Sequence, residues 1–204
     1  MRRRTLKIAG IVLCAGMFFG VHAADPSQRL RGEWSLNNWT PGNAVNLKLG
    51  YRDGSRRWQW GSDQSLDDLH GLTREQLRDV HGTVAFSLKR DAGTFSFEGT
   101  TVLGIGHGDY RFLPDPSFQE KLGALGYDTS GEDDLSMMML AVRDVSLAYA
   151  ADVKQSGLRG AAIADLVRLL DHGVDPGYVA RIHAAGFDGL TTEEVIKLHD
   201  HGVD

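Results

Sequence analysis

Cysteine is nearly absent from this chain: among 204 residues, Cys14 is the only thiol. It lies in an apolar N-terminal run, so the rest of the chain can form no disulfide, thiol nucleophile or thiolate metal site. Enzyme signatures are missing as well. There is no His-Glu-x-x-His, no serine elbow and no phosphate-cradling P-loop. Acidic residues are plentiful, and Glu98 and Asp109 could meet across a hairpin, but no pair stands in a context that implies catalysis. These absences leave no expected catalytic residue, cofactor or metal ligand. The apolar run from Ile8 to Val21 also falls short of the about 20 residues needed to span a bilayer.

That run is better read as an export signal. Arg2, Arg3, Arg4 and Lys7 precede it, and Val21-His22-Ala23 puts small side chains at the two positions a signal peptidase inspects. Residues 1–23 are therefore expected to be a signal peptide cleaved after Ala23, giving a periplasmic or secreted protein with no membrane span after cleavage. A retained anchor is disfavoured by length. A lipoprotein built on Cys14 is disfavoured because Leu13 stands where a small residue is expected. Cleavage removes four of the 22 basic residues and no acidic one, leaving 18 against 27 and a net charge of −9. So acidic a chain is not expected to bind nucleic acid or anionic lipid unless its charge is locally segregated.

The clearest positive signal is a 29-residue period in the C-terminal half. Leu169-Leu170-Asp171-His172-Gly173-Val174-Asp175 returns as Leu198-His199-Asp200-His201-Gly202-Val203-Asp204. Val174, Tyr178, Ile182, Gly186 and Phe187 fall on Val145, Tyr149, Val153, Gly157 and Leu158 one period earlier. A further partial copy begins at Asp115, with two extra residues between it and the next. The spacing of Ile163, Leu166, Val167, Leu169 and Leu170 predicts a helix. Gly173 supplies its left-handed stop, and Asp175-Pro176 the cap and first turn of the next helix. Thr191 and Glu194 fit a capping box. Residues 115–204 are thus expected to form six short helices in a helical-hairpin repeat array, which buries its apolar faces only by stacking.

From residue 24 to 114 the period switches to two. Val45, Leu47, Leu49 and Tyr51 alternate with polar or small residues, as do Val84, Phe86 and Leu88, and Phe95 and Phe97. Asp53-Gly54 and Asp91-Ala92-Gly93 are hairpin signals. Strands are expected near 32–39, 44–52, 56–61, 83–90, 94–103 and 107–113, with one helix between Ser65 and Val80. The fold class is α+β: a small antiparallel β-sandwich or partly closed barrel, then the helical repeats.

Few residues invite a functional reading. His172, His199 and His201 sit in metal-like contexts, but His172 and His201 hold one repeat position in the last turn of a helix. An imidazole there can bond orphan carbonyls and complement the helix dipole. Gly104-x-Gly106-x-Gly108 lies between two alternating segments and reads as a bend, not a phosphate loop. Gly32-Glu33-Trp34 resembles the Gly-x-Trp that opens lipocalin-like barrels, although about eight long strands are needed to hold a ligand in one. In Arg56-Arg57-Trp58-Gln59-Trp60 both tryptophans share a face with Arg56. Arg56, Arg57, Trp58 and Trp60 form the expected partner contact, through charge and cation–π attraction.

The segment Arg90-Asp91-Ala92-Gly93-Thr94-Phe95 with Phe97-Glu98-Gly99, followed by the Asp-His-Gly-Val repeats, resembles a group of exported bacterial proteins. The repeats are also similar to those that follow the membrane domain of some BlaR-type sensor proteins. The resemblance spans roughly residues 82–204 and implies a sensing or interaction role in the cell envelope. The peptidase motif of those sensors is missing, so the resemblance implies no protease activity. The expected function is an exported, non-enzymatic interaction or envelope sensing and scaffold protein. Its partner is an envelope or extracellular protein bound by the helical array. The alternative is a carrier of a small apolar ligand in the β domain.

Overall fold

A computed structural model of the chain describes residues 30–38 and 42–203. The expected signal peptide and Asp204 lie outside the described residues, as does the side chain of Arg56. The chain is α+β. Strands β1 (Arg31–Asn37), β2 (Ala44–Asp53), β3 (Arg56–Ser65), β4 (Leu69–His70), β5 (Gly82–Arg90), β6 (Gly93–Val102) and β7 (Ile105–Pro114) form one sheet. Their order is β3-β2-β1-β7-β6-β5-β4, and every neighbouring pair is antiparallel. β3 and β4 stand at opposite edges, yet only Leu66–Asp68 join them. Four residue steps reach about 14 Å at most. The sheet must therefore curl until its edges approach, and the result is a half-barrel.

Its inner face holds the alternating apolar residues: Val45, Leu47, Leu49 and Tyr51 of β2, Phe86 of β5, Phe95 and Phe97 of β6, Tyr110 and Phe112 of β7, all buried. Their rings pack in register. Phe86 stacks on Phe97 at 4.5 Å and meets Trp34 edge-on at 5.1 Å. Trp34, only 2% exposed, donates its indole N–H to the Glu98 carbonyl at 3.1 Å. The glycines around it are not all bends. Gly104, with φ +86°, does turn the chain between β6 and β7. Gly106, however, leaves room for the indole, since a Cβ there would lie 2.9 Å from the Trp34 ring. Gly108 admits the β6 backbone, which a Cβ would strike.

The helix expected from Ser65 to Val80 is broken up. Ser65 caps only a single 3-10 turn, accepting from the Asp67 N–H, and Leu69–His70 then pair with β5. A five-residue helix, α1 (Arg74–Arg78), follows behind a Thr73–Gln76 capping box. Leu66, Leu69, Leu72 and Leu77 are all buried at this edge of the sheet. Pairing of β4 with β5 satisfies the backbone there better than a helix interrupted by Gly71 would.

Six further helices among the described residues have nine residues each: α2 (Pro116–Ala124), α3 (Asp134–Val142), α4 (Leu147–Gln155), α5 (Ile163–Asp171), α6 (Pro176–Ala184) and α7 (Thr192–Asp200). Asp115, Asp133, Ser146, Asp175 and Thr191 cap five of them by accepting a backbone N–H of the first turn. At α5 the cap residue is Ala162, and Asp165 accepts its N–H instead, at 2.9 Å. Exits are equally regular. Behind α5 the Val174 N–H bonds Leu169 O at 2.9 Å and the Gly173 N–H bonds Leu170 O at 3.1 Å, with Gly173 at φ +70°. Asp144 takes the matching place behind α3 at φ +55°, and its carboxylate meets Arg90 at 3.2 Å.

The closest helix packing joins α2 to α4, α4 to α6 and α5 to α7. Alternate helices thus lie side by side in two ranks, a tighter relation than the sequential hairpins expected from the sequence. Contacts between the ranks and within one rank recur along the chain. Tyr149 donates to Val174 O at 3.1 Å, and 29 residues on Tyr178 donates to Val203 O at 2.6 Å. Arg143 pairs with Asp171 at 3.1 Å, and 29 residues on His172 pairs with Asp200 at 3.0 Å.

The ranks are seated on the sheet. α3 buries Met137, Met138, Leu140, Ala141 and Val142 and packs on β6 and β7, where the Tyr110 hydroxyl meets Met138 Sδ at 3.7 Å. Sheet and helices share one continuous apolar core. The turn from Arg90 to Gly93 clamps them together. Arg90 donates to Gln64 at 2.7 Å as well as pairing with Asp144, Asp91 accepts the Leu147 N–H at 2.9 Å, and Ala92 O accepts the Asp115 N–H at 3.0 Å.

This packing predicts an alkaline transition. Burial, reinforced by the Asp175 charge, pushes the Tyr149 hydroxyl up to about 12, and burial also raises Tyr110 and Tyr127. The folded state holds these protons while the unfolded chain releases them near 10, so their stabilisation is intact below about 10 and lost as pH climbs toward 12. Thermal melts stepped across that range should show a steep fall in midpoint. A flat profile would mean that the phenols are not buried.

Candidate functional site

The outer face of the sheet is built from the residues that alternate with the core. Cross-strand register aligns them in rows. In one row Arg57 of β3 faces Arg52 of β2, and Arg31 of β1 faces Arg111 of β7. Continuing the β1–β2 ladder one step past Gly32–Tyr51 sets Arg52 opposite Arg31. Four exposed arginines therefore span four adjacent strands, about 4.8 Å apart. The next row, about 7 Å along the strands, is acidic. There Glu33 faces Asp109, and Asp109 faces Glu98. Beyond it lie Lys48, Ser35 and His107.

Three shallow depressions follow these rows. One of about 820 Å³ runs between Glu33, Gln59 and Asp109 on one side and Lys48 and His107 on the other, floored by Gly50 and Gly61. A second of about 350 Å³ is bordered by Arg31, Glu33, Arg52, Arg57 and Gln59. A third of about 810 Å³ is bordered by Arg31, Glu33, Glu98, Asp109 and Arg111. The second and third adjoin, sharing Arg31, Gly32 and Glu33. Among the described residues, Arg52, Arg57 and Arg111 make no ion pair, and neither do Glu33, Glu98 and Asp109. Like charges placed directly opposite one another cost stability, and Arg52 facing Arg57, and Asp109 facing both Glu33 and Glu98, carry that cost.

Residues singled out from the sequence are distributed differently from the expected patch. Arg57 belongs to the outer arginine row. Trp58 and Trp60 face the other way, opposite Tyr51 and Leu49, and are half-buried against the core. Arg57 and the tryptophans therefore do not form one surface. Glu98 and Asp109 do meet, as their hairpin placement suggested, and Glu33 joins them from β1, whose pairing with β7 no local signal foretells.

The histidines take partners of their own. His172 ends α5, but it pairs with the Asp200 carboxylate rather than with orphan carbonyls, because α7 lies beside α5. His183 Nε2 meets Asp188 at 2.9 Å, and the His199 ring stands edge-on to Tyr178 at 4.9 Å. Among the described residues no group of three His, Cys, Asp or Glu side chains is arranged to hold a metal ion. Among them, too, no helix is long and apolar enough to cross a membrane.

The surface beside α6 and α7 is a second candidate surface. Tyr127, Leu158 and Phe187 hold the same place, one residue past the left-handed glycine that ends α2, α4 and α6. Tyr127 is 4% exposed and Leu158 9%, whereas Phe187 is 48% exposed. Leu198 and Val203 are only half-buried, although their counterparts Leu169 and Val174 are fully buried. The chain matches no protein-family model, and neither a curated protein nor a solved structure matches it.

Proposed function

We propose that this chain is an exported, non-enzymatic interaction protein. In this reading the helices from residue 115 onward form a stacked repeat array. The apolar stacking position beside α6 takes a helix of an envelope or extracellular partner protein. The observation that carries the reading is Phe187, the one member of its positional series left uncovered. Tyr127 shows what covers that position inside the array: a neighbouring helix, α4, whose Ala150 carbonyl accepts the tyrosine hydroxyl at 2.9 Å. A partner helix laid beside α6 would do the same for Phe187. An apolar side chain left exposed at a stacking position favours association. The resemblance to repeats of BlaR-type sensors supports a sensing or scaffold role in the envelope. The alternative, a carrier of a small apolar ligand in the half-barrel, gains no support, since Phe86, Phe95, Phe97, Tyr110 and Phe112 fill the inner face.

A photo-crosslinking residue placed at Phe187 in the full-length protein tests this in the producing cells, with one at the exposed Glu120 as control. A discrete adduct with a different protein at 187, absent at 120, is the expected result. An adduct of twice the chain's own mass would instead assign the surface to a second copy. No adduct at 187 above the control would overturn the reading.

A further inference from the structure

The outer face of the sheet carries chemistry that the interaction reading does not use. Its arginine row and its carboxylate row run parallel across the strands, and neither Arg52, Arg57 and Arg111 nor Glu33, Glu98 and Asp109 is neutralised from within the described residues. The two rows adjoin two connected depressions. We propose that this face binds a single chain of an acidic polysaccharide, a polyuronate, lying across the strands.

Three features select that ligand class. First, the arginines repeat at the strand spacing, about 4.8 Å, so an extended polymer with one carboxylate per sugar can engage several guanidiniums in succession. Guanidinium forks match carboxylates with two parallel hydrogen bonds. Secondly, the neighbouring row consists of hydrogen-bond acceptors. Ionised Glu33, Glu98 and Asp109 cannot donate, so they suit the hydroxyl groups of sugars and repel further anions. Gln59 and Ser96 flank the same depressions and add neutral polar contacts. Thirdly, the basic row is one residue wide. A flat anionic membrane would press its headgroups onto the carboxylate row as well as the arginines, and an acidic peptide brings carboxylates without an edge of hydroxyl donors. The overall acidity of the chain argues against a polyanion in general, yet the register segregates the charge locally and leaves a strip of one sign.

Calorimetric titration of the full-length protein with polygalacturonate at low salt tests the proposal. Binding is expected, and it should weaken as salt is raised, because the contacts are exposed ion pairs. The triple variant Arg52→Ala, Arg57→Ala, Arg111→Ala should bind at least about tenfold more weakly, as loss of several charge-assisted hydrogen bonds implies. Its melting temperature should hold or rise, since these side chains are exposed and mutually repulsive. The matching triple lysine variant keeps the charge, loses the forks and should fall in between. Polygalacturonate with its hydroxyls O-acetylated should bind less well than the unmodified polymer. Any of three results overturns the proposal: no binding of polygalacturonate, binding that the alanine triple leaves unchanged, or equal binding of polyglutamate, single-stranded oligothymidylate or phosphatidylglycerol vesicles.

Discussion

Tyr178→Ala is expected to destabilise the protein by about 3–5 kcal/mol, the range for aromatic truncation in a packed core. The side chain is 2% exposed, the edge-on His199 ring packs against it, and the Arg181 guanidinium lies 5.6 Å from its centre. Its hydroxyl donates to Val203 O at 2.6 Å, tying the start of α6 to the residues after α7. Tyr178→Phe separates the two contributions. It removes only that hydrogen bond and should cost about 1 kcal/mol. Urea titrations of both variants provide the check. An unchanged midpoint for Tyr178→Ala would remove the ring from the core and the 29-residue frame with it. The shape of the transition is informative as well. Because sheet and helices share one core, a single cooperative step is expected for the parent protein, whereas a transition that splits, with Tyr178→Ala moving only one part, would mark two separately folding units.

Gly108→Ala should also be damaging, for the opposite reason. A Cβ at Gly108 would strike Glu98 O and lie 2.6 Å from the Gly99 Cα. Both are backbone atoms of the paired strand, so no side-chain rotation can relieve the clash, and β6 and β7 must part. Overpacking a well-filled core costs about 1–3 kcal/mol and sometimes more, and here the disturbed strands also carry Asp109, Glu98 and the glycine shelf beneath Trp34. Gly131→Ala is the control, with nothing within 4 Å of the added methyl. The near-ultraviolet circular dichroism of Trp34 and its neighbouring rings should collapse in Gly108→Ala and stay intact in Gly131→Ala. Two identical spectra would show that the strand pair tolerates a side chain there.

Much of the secondary structure was legible because its signals are local. Asp175-Pro176, Thr191 with Glu194, and Gly173 followed by Val174 specify where helices begin and end within a few residues, and α6, α7 and α5 obey them. The alternating strands were also readable, most within one or two residues. β3 was cut short at residue 61 because Ser62 to Ser65 are polar. They nevertheless pair with β2 to the end, as an edge strand needs burial on one side only. The helix expected between Ser65 and Val80 gives way to a strand–turn–helix path, because only the presence of β5 alongside decides that Leu69 and His70 pair as a strand.

The candidate sites divide along the same line. Periodicity marked Phe187 as one of a series, but only its exposure set it apart from Tyr127 and Leu158. Arg57 stood out beside two tryptophans, yet the pleat turns it away from them and toward arginines from three other strands. Helix caps, turn glycines and strand alternation were determined by the sequence itself, since each depends on atoms a few residues apart. The pairing of β1 with β7, the stacking of alternate helices and the two rows of charge were decided only by tertiary structure. They join residues tens of positions apart, and no local preference encodes which strand edge or helix face will meet which.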